Sequence, residues 1–322
     1  MGETRPAIDF YEQALVIARE IGDRRGEGRI LGDLGLVHAE LGETRRAIDF
    51  YEQALVIARE IGHRRSEGIS LVNLGLAHAE LGETGRTIEF YEQALVIARE
   101  IGDRLDEGIR LGALGAAHAA FGETRRAIEF YEQALVIARE IGDRRGEGQG
   151  LGNLGNRYAE LGETRRAIEF YEQALVIARE IGDRRGEGIR LGNLGHAHAA
   201  LGETQRAIEF YEQALGIARE IGDRRGEGIR LGALGLAHAA LGETRRAIEF
   251  YGQALVIARE IGDRRGEGIH LHNLAGKHAK LGDVPTAITL TEQALAIFVA
   301  IETPYAEDAR QQLARLRGTA EG

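Results

Sequence analysis

Apolar residues recur along this chain at the spacing of α-helices, in segments separated by glycine. The segment 45–61 places seven residues on one helical face: Ala47, Ile48, Tyr51, Ala54, Leu55, Ala58 and Ile61. The next segment, 64–81, carries Leu71, Leu74, Gly75 and His78 on one side. Gly62 lies between the two segments, and glycine commonly ends a helix. The pattern therefore predicts two kinds of helix, and we name the 64–81 kind the first helix and the 45–61 kind the second helix.

A first helix followed by a second helix repeats along the chain with a period of 40 residues. Gly-Glu-Thr recurs at 2, 42, 82, 122, 162, 202 and 242, and a related Gly-Asp-Val stands at 282. The sequence AIEFYEQALVIAREIGDRRGEG occurs unchanged at 127–148 and at 167–188. A single helix pair cannot bury its apolar face and must stack on its neighbours. We therefore expect an all-α protein with the architecture of an α-solenoid.

The two ends of the array differ from its middle. Residues 2–22 predict a second helix that has no first helix before it. Seven complete helix pairs are predicted over 23–302, followed by a capping helix of different sequence over 303–318. We expect the whole chain, 1–322, to form a single array. Two helix caps are predicted in each repeat, Glu-Thr before the second helix and, in most repeats, Asp before the first.

The residues of each repeat resemble those of the tetratricopeptide repeat family. The pattern is carried by Leu31, Leu34, Gly35, His38 and Gly42, followed by Ala47, Tyr51 and Ala54. The long second helix and the junction Ile-Gly-Asp-Arg-Arg-Gly-Glu-Gly resemble the 40-residue form of the spindle adaptor LGN/Pins and of bacterial regulators. The resemblance implies a right-handed superhelix whose first helices line a concave groove. It also implies a scaffold that binds a protein or peptide.

Composition and charge narrow the classes of function. The chain has no cysteine, which excludes disulfides, thiolate zinc sites and cysteine nucleophiles. Its net charge of −10 disfavours nucleic acid as a partner, because phosphate binding needs a basic surface. The sequence has no apolar run of about 18 residues that would span a membrane, and we expect a cytoplasmic protein. No catalytic grouping interrupts the repeat, so we expect neither enzymatic activity nor a cofactor.

Histidines recur once per repeat and raise the question of a metal site. They are His38, His78, His118, His198, His238 and His278, and Tyr158 takes their place once. Neighbouring copies should lie about 8–10 Å apart, too far to share a zinc ion with bonds of about 2 Å. The resemblance places an aromatic residue here, between the helices. We therefore predict that these histidines pack and bind no metal.

Glycine is dense in the first helices and has two interpretations. Gly35 stands where the resemblance implies a small residue that lets paired helices approach. Gly32 and its equivalents at 112, 152 and 192 lie off the buried stripe. Missing side chains there would widen the groove or admit a ligand backbone. Relaxed selection in duplicated repeats explains the same pattern equally well.

Differences among the repeats concentrate in the first helices and predict where a ligand binds. Positions 29, 32, 33, 36 and 40 share one stripe, opposite the apolar stripe of positions 31, 34, 35 and 38. Asparagine suits a peptide ligand because its amide bonds both N–H and C=O groups, while isoleucine supplies apolar contact. The predicted peptide-binding residues are Asn73, Asn153, Asn156, Arg157, Ile189, Asn193, His196 and Asn273.

Two other functions agree with the same sequence. One is a sensor or regulatory segment of a larger signalling ATPase or transcription regulator, and the other is a self-assembling structural array. The predicted helix over 2–22 presents Ala7, Tyr11 and Ala14 where a first helix would otherwise pack. Because exposed apolar surface tends to find a partner, we expect a weak homodimer through this helix.

Overall fold

The structure, a computed structural model, describes residues 4–320, in which every regular element is an α-helix. In chain order the helices are α1 Thr4–Glu20, α2 Arg24–Glu40, α3 Thr44–Glu60, α4 Arg64–Glu80, α5 Thr84–Ile101, α6 Arg104–Ala120, α7 Thr124–Ile141, α8 Arg144–Glu160, α9 Thr164–Glu180, α10 Arg184–Ala200, α11 Thr204–Glu220, α12 Arg224–Ala240, α13 Thr244–Glu260, α14 Arg264–Lys280, α15 Val284–Ala300 and α16 Tyr305–Ala320. The predicted all-α fold of tandem helix pairs is confirmed. None of these helices is long and apolar enough to cross a membrane.

The helices form two compact units, residues 1–161 with α1 to α8 and residues 162–322 with α9 to α16. Inside each unit every helix packs against the helix that follows it, and short turns make these neighbours antiparallel. The first helices are the even-numbered helices α2 to α14. First helices of successive repeats also touch, as α2 does with α4 and α6 with α8. This stacking gives each unit a surface formed by first helices.

Glycine and aspartate shape the turns between the helices. Gly62 has a φ of 64° and Gly142 a φ of 72°, a conformation that side chains disfavour. Asp143 caps α8 by accepting a hydrogen bond from the Gly146 amide at 2.9 Å, as predicted. The predicted Glu-Thr cap is wrong. Glu43 stands at the start of α3, but its carboxylate accepts no capping hydrogen bond from the backbone of that helix and pairs with the Arg46 side chain at 3.0 Å.

The Glu43 carboxylate bonds to a buried histidine instead, and this contact explains the recurring histidines. The Nδ1 atom of His38 lies 2.7 Å from Glu43, and its ring stacks on Phe50 with centroids 5.2 Å apart. The hydrogen bond from His38 lowers the pKa of Glu43. The predicted packing role of the histidines is confirmed. No group of His, Asp or Glu side chains within residues 4–320 is arranged to hold a metal ion.

Each junction between repeats holds a buried glutamate between two arginines. Glu147 is 8% exposed, and its carboxylate lies 2.9 Å from Arg139 and 2.5 Å from Arg144. Because the glutamate is buried, these ion pairs are less screened by solvent than pairs on an exposed surface. Burial raises the pKa of Glu147, but the bonds to both arginines outweigh it, so the net pKa lies below its ordinary value.

A close fit between glycine and tyrosine sets the distance between paired helices. A Cβ atom at Gly115 of α6 would lie 2.7 Å from the Tyr131 ring of α7. Tyr131 is 4% exposed and has no space to retreat. The predicted need for a small residue at this position is confirmed.

We expect Gly115→Ala and Gly112→Ala, on the same helix, to change stability in opposite directions. Gly115→Ala should lower the free energy of unfolding by about 1–3 kcal/mol, because the new methyl group meets the Tyr131 ring. Gly112→Ala should raise it by about 0.5–1 kcal/mol, because nothing lies within 4 Å of its Cβ and alanine favours the helix. Urea unfolding curves test both values. Equal effects of the two substitutions would contradict the glycine–tyrosine fit.

We also expect the protein to lose stability in acid. Because the folded pKa of Glu147 lies below its unfolded value, its contribution is complete above about pH 4.3 and is lost as the pH falls through the folded pKa. Thermal unfolding of Glu147→Gln across this range should show a weaker pH dependence. At neutral pH this variant should lose about 1–2 kcal/mol. Glu129→Gln, on an exposed part of α7, is the control and should match the parent.

Helix α1 exposes an apolar face that its equivalents bury. Ala7, Tyr11 and Ala14 are half-buried, and Ile17 is 56% exposed, whereas the equivalent Ile57 is 4% exposed. Within residues 4–320 no helix precedes α1 to cover this face.

The homodimer through α1 stays a prediction. Tyr11→Glu would place a charge in the apolar contact and should shift the protein to monomer at concentrations where the parent associates. Light scattering over a concentration series measures this shift. A parent that stays monomeric, or a dimer that Tyr11→Glu leaves intact, would remove the prediction.

Candidate functional site

The first helices expose the stripe that the sequence predicted. Leu34 and Gly35 are buried, whereas Leu36 and Ile109 are each 52% exposed. Half-buried positions such as Asn73 and Asn153 lie between these extremes. Side chains on this stripe therefore lie on helices, whose backbone fixes their positions.

In the second unit, side chains from one first helix cover glycines on the preceding one. The guanidinium group of Arg230, on α12, lies on Gly192 of α10, where a Cβ atom would overlap it. The ring of His270, on α14, covers Gly232 of α12 in the same way, with its Cε1 atom 2.8 Å from the position of a Cβ. The suggestion that these glycines leave the groove open is therefore wrong for Gly192 and Gly232. They make room for a neighbouring side chain.

In the first unit, one first helix has no side chain at the position from which Arg230 and His270 cover a glycine. Position 150 on α8, equivalent to Arg230 and His270, is glycine, and nothing lies within 4 Å of a Cβ built on Gly112. The result is a cavity of about 400 Å³ between α6 and α8, with α7 as its floor. Tyr131 and Ile137 belong to its apolar lining. We refer to this space as the α6–α8 cavity.

A cavity at the equivalent place in the second unit shows what Gly150 changes. That cavity lies between α12 and α14, is lined by Ile229, Ile257 and His270, and measures about 280 Å³. Neither Gly232 nor Asn273, the equivalents of Gly112 and Asn153, borders it. The His270 side chain fills the inner end of the space. The α6–α8 cavity is larger because no side chain fills that end.

Three departures from the repeat border the α6–α8 cavity. Leu105 stands where the six other first helices have arginine, and it is 52% exposed. Gln149 stands where five others have isoleucine and one has arginine. Leu105, Gln149 and Gly150 all line the cavity. Because three departures from the repeat border one cavity, we treat the cavity as a candidate ligand site.

Among the predicted peptide-binding residues, Asn153 lines the α6–α8 cavity. Asn156 and Arg157 follow on α8 and are half-buried, and Asn73 is half-buried on α4. Arg157 forms an ion pair with Glu160 at 2.7 Å. Its Nε atom is buried without a hydrogen-bond partner within residues 4–320.

The remaining predicted residues belong to the second unit. Ile189 is 44% exposed and Asn193 is half-buried, both on α10. His196 lies at an exposed position of α10, and its Nδ1 atom shares a hydrogen bond with the Tyr211 hydroxyl at 2.9 Å. Desolvation of the ring by the surrounding side chains, and next the charge of Arg230, lower the pKa of His196. Asn273 lines a separate cavity of about 190 Å³ beside Phe298 and Tyr305. Asn153 and Asn273 therefore border different cavities, although they share one repeat position.

Sequence reasoning missed Leu105, Gln149 and Gly150. The signal was present, because Gln-Gly replaces the pairs found at positions 29 and 30 of other repeats. Its meaning depends on the contact that a side chain at position 150 would make with Gly112, which is distant in the sequence.

Comparison with known families identifies the repeat. The model for the tetratricopeptide repeat matches residues 1–60, 66–140, 126–180, 147–220, 187–260 and 229–300. The chain belongs to the tetratricopeptide repeat family. Tetratricopeptide repeats generally mediate protein–protein interaction and bind protein or peptide partners, and their fold is generally a non-catalytic scaffold. No curated protein sequence matches the chain significantly.

Solved structures share the fold of this tetratricopeptide repeat chain at low sequence identity. A Pyrococcus horikoshii signal transduction ATPase with numerous domains, which has a tetratricopeptide repeat sensor, matches with a TM-score of 0.75 and 19% identity over 97% of this chain and 47% of its own. Aspartyl phosphate phosphatase F from Bacillus subtilis matches with a TM-score of 0.66 and 15% identity, over 93% and 75% of the two chains. BtubC from P. vanneervenii matches with a TM-score of 0.62 and 23% identity, over 68% and 92%.

Proposed function

We propose that this chain is a scaffold that binds a peptide segment of a partner protein on the surface of its first helices. The α6–α8 cavity is the anchor point in this proposal. The observation that carries it is the coincidence of the cavity with the departures from the repeat at Leu105, Gln149 and Gly150.

The chemistry of the cavity suits one side chain of an extended or helical peptide. Its floor, which includes Tyr131 and Ile137, supplies apolar area. Gln149 and Asn153 place amide groups in its lining, and amides can pair with both the N–H and the C=O of a bound backbone. Ile109 adds exposed apolar surface beside them. The apolar lining gives affinity and the amides orient the ligand.

Other predicted residues extend the proposed site along the first helices of each unit. In the first unit these are Asn73, Asn156 and Arg157, and in the second they are Ile189, Asn193, His196 and Asn273. Their exposed or half-buried positions on first helices support this role. His196 contributes less freely, because its Nδ1 atom already pairs with Tyr211.

A second candidate function is that of a sensor segment within a larger signalling protein. The observation that favours it is the match of 97% of this chain to part of an ATPase whose repeats are a sensor. At 19% identity this likeness concerns the fold alone. A sensor would use the same surface, but its ligand would be another domain of its own chain.

Panning a phage-displayed library of random twelve-residue peptides on the immobilised protein tests the proposed function. Asn153→Ala should weaken a selected peptide roughly tenfold to a hundredfold, because a buried hydrogen bond to the peptide is lost. Fluorescence polarisation with the synthetic peptide measures the change. Gln133→Ala, on an exposed part of α7, is the control and should bind like the parent. If no peptide is selected, or if Asn153→Ala binds every selected peptide normally, the proposal fails at this cavity.

A further inference from the structure

The α6–α8 cavity occupies the place of an arginine that other repeats provide. Arg110, Arg190 and Arg230 stand at the repeat position that Gly150 holds on α8. The first helices therefore carry arginine at three of seven copies of this position. The α8 copy lacks any side chain, and the surrounding backbone keeps the same repeat.

The surroundings of Arg230 show what such an arginine contacts. Its guanidinium group lies flat on Gly192, since both Nη atoms and Cζ approach the place of a Cβ there. Burial lowers the pKa of Arg230, while the neighbouring Tyr211 and Asp223 oppose that shift. Arg190 has an equivalent environment, in which Tyr171 and Asp183 oppose the effect of burial. A tyrosine and an aspartate thus recur near the half-buried Arg190 and Arg230, and Arg230 also lies on a glycine.

All three counterparts are present at the α6–α8 cavity. Gly112, Tyr131 and Asp143 line it and correspond to Gly192, Tyr211 and Asp223. Gly112 is uncovered, as the absence of atoms around its Cβ position shows. The cavity therefore has the residues that surround the arginine in other repeats, but it lacks the arginine itself.

Charge at the rim is compatible with a bound cation, because the lining holds one acidic residue, Asp143, and one basic residue, Arg145. Arg145 lines the cavity, but the repeats of Arg190 and Arg230 carry Arg185 and Arg225 at the same position and tolerate both charges. Leu105 replaces the arginine that the preceding first helix would otherwise place at the rim, which removes one positive charge. The side chain of Arg110 is paired with Asp106 on its own helix. The net charge of the chain, −10, adds a general attraction for basic ligands.

We propose that the α6–α8 cavity binds the guanidinium group of an arginine presented by the partner peptide, laid on Gly112 beside Tyr131 and Asp143. The bound arginine takes the place that Arg230 takes on Gly192. A planar guanidinium can lie on a glycine backbone and against an aromatic ring, whereas the compact ammonium group of lysine cannot copy that geometry. This inference rests on the proposed peptide-binding function and gives its anchor a chemical identity.

Four fluorescein-labelled peptides test the inference by fluorescence polarisation. They share the sequence Ala-Ser-Ala-X-Ala-Ser-Ala, with arginine, citrulline, lysine or norleucine at X. Citrulline has nearly the shape of arginine without its charge, and norleucine offers only apolar contact. We expect the arginine peptide to bind at least about tenfold more tightly than each of the others, because only arginine supplies a charged planar group. Binding of lysine or citrulline within roughly threefold of arginine would overturn the inference.

Two substitutions in the protein make the test specific to the cavity. Gly150→Arg restores the arginine of other repeats and should abolish the preference for the arginine peptide by occupying the cavity. Gly85→Arg is the matched control, because it also restores a repeat arginine but lies exposed on α5, with nothing within 4 Å of its Cβ. Gly112→Val, which introduces the residue that stands at Val72, should weaken arginine binding without depending on the folding of Gly150→Arg.

The outcomes separate this inference from the proposed function. If Gly150→Arg weakens all four peptides equally, the cavity binds peptides but has no guanidinium specificity, and only the inference fails. If Gly150→Arg and Gly112→Val leave arginine binding unchanged, the cavity is not the site and both proposals fail there. If no peptide binds the parent at millimolar concentration, the inference fails, and the library selection decides the proposed function.

Discussion

The fit of a tyrosine over a glycine fixes the distance between paired helices, and the rest of the structure depends on that distance. Cβ atoms at Gly115 or Gly235 would lie within 3.0 Å of a tyrosine ring. The last repeat changes both partners together. Ala275 replaces the glycine and Thr291 replaces the tyrosine, and both are fully buried. A larger residue on one helix accompanies a smaller one on its partner, which indicates that the combined volume is constrained.

This constraint explains why a missing side chain produces an open cavity. If α6 and α8 could approach each other, they would close the space that glycine leaves at position 150, where other repeats have arginine. Tyr131 is held against Gly115 and braces α7 against α6, while buried ion pairs around Glu147 hold the junction to α8. The helices therefore keep their distance, and glycine in place of arginine at one position leaves a space large enough for a side chain.

The periodicity of the sequence predicts the fold, but it does not predict the cavity. The helix pairs, the glycine turns and the packing of His38 follow from local patterns. The Glu-Thr cap failed because His38, from the preceding helix, binds the Glu43 carboxylate. The prediction that Gly192 leaves the groove open failed because Arg230, in the next repeat, covers this glycine. The first error concerns a contact across a turn and the second a contact between successive repeats, and the periodicity of a single helix reports neither.

The missing side chain at Gly150 also links the stability of the fold to the binding of a ligand in the α6–α8 cavity. The second unit packs the half-buried Arg230 on Gly192, whereas the first unit lacks the corresponding contact at Gly112. An occupant that enters only the folded cavity adds that packing from outside and stabilises the native state by mass action, by about 2.7 kcal/mol at a hundred times its dissociation constant. The melting temperature of residues 1–161 would then rise with the concentration of the partner, whereas that of residues 162–322 would not change.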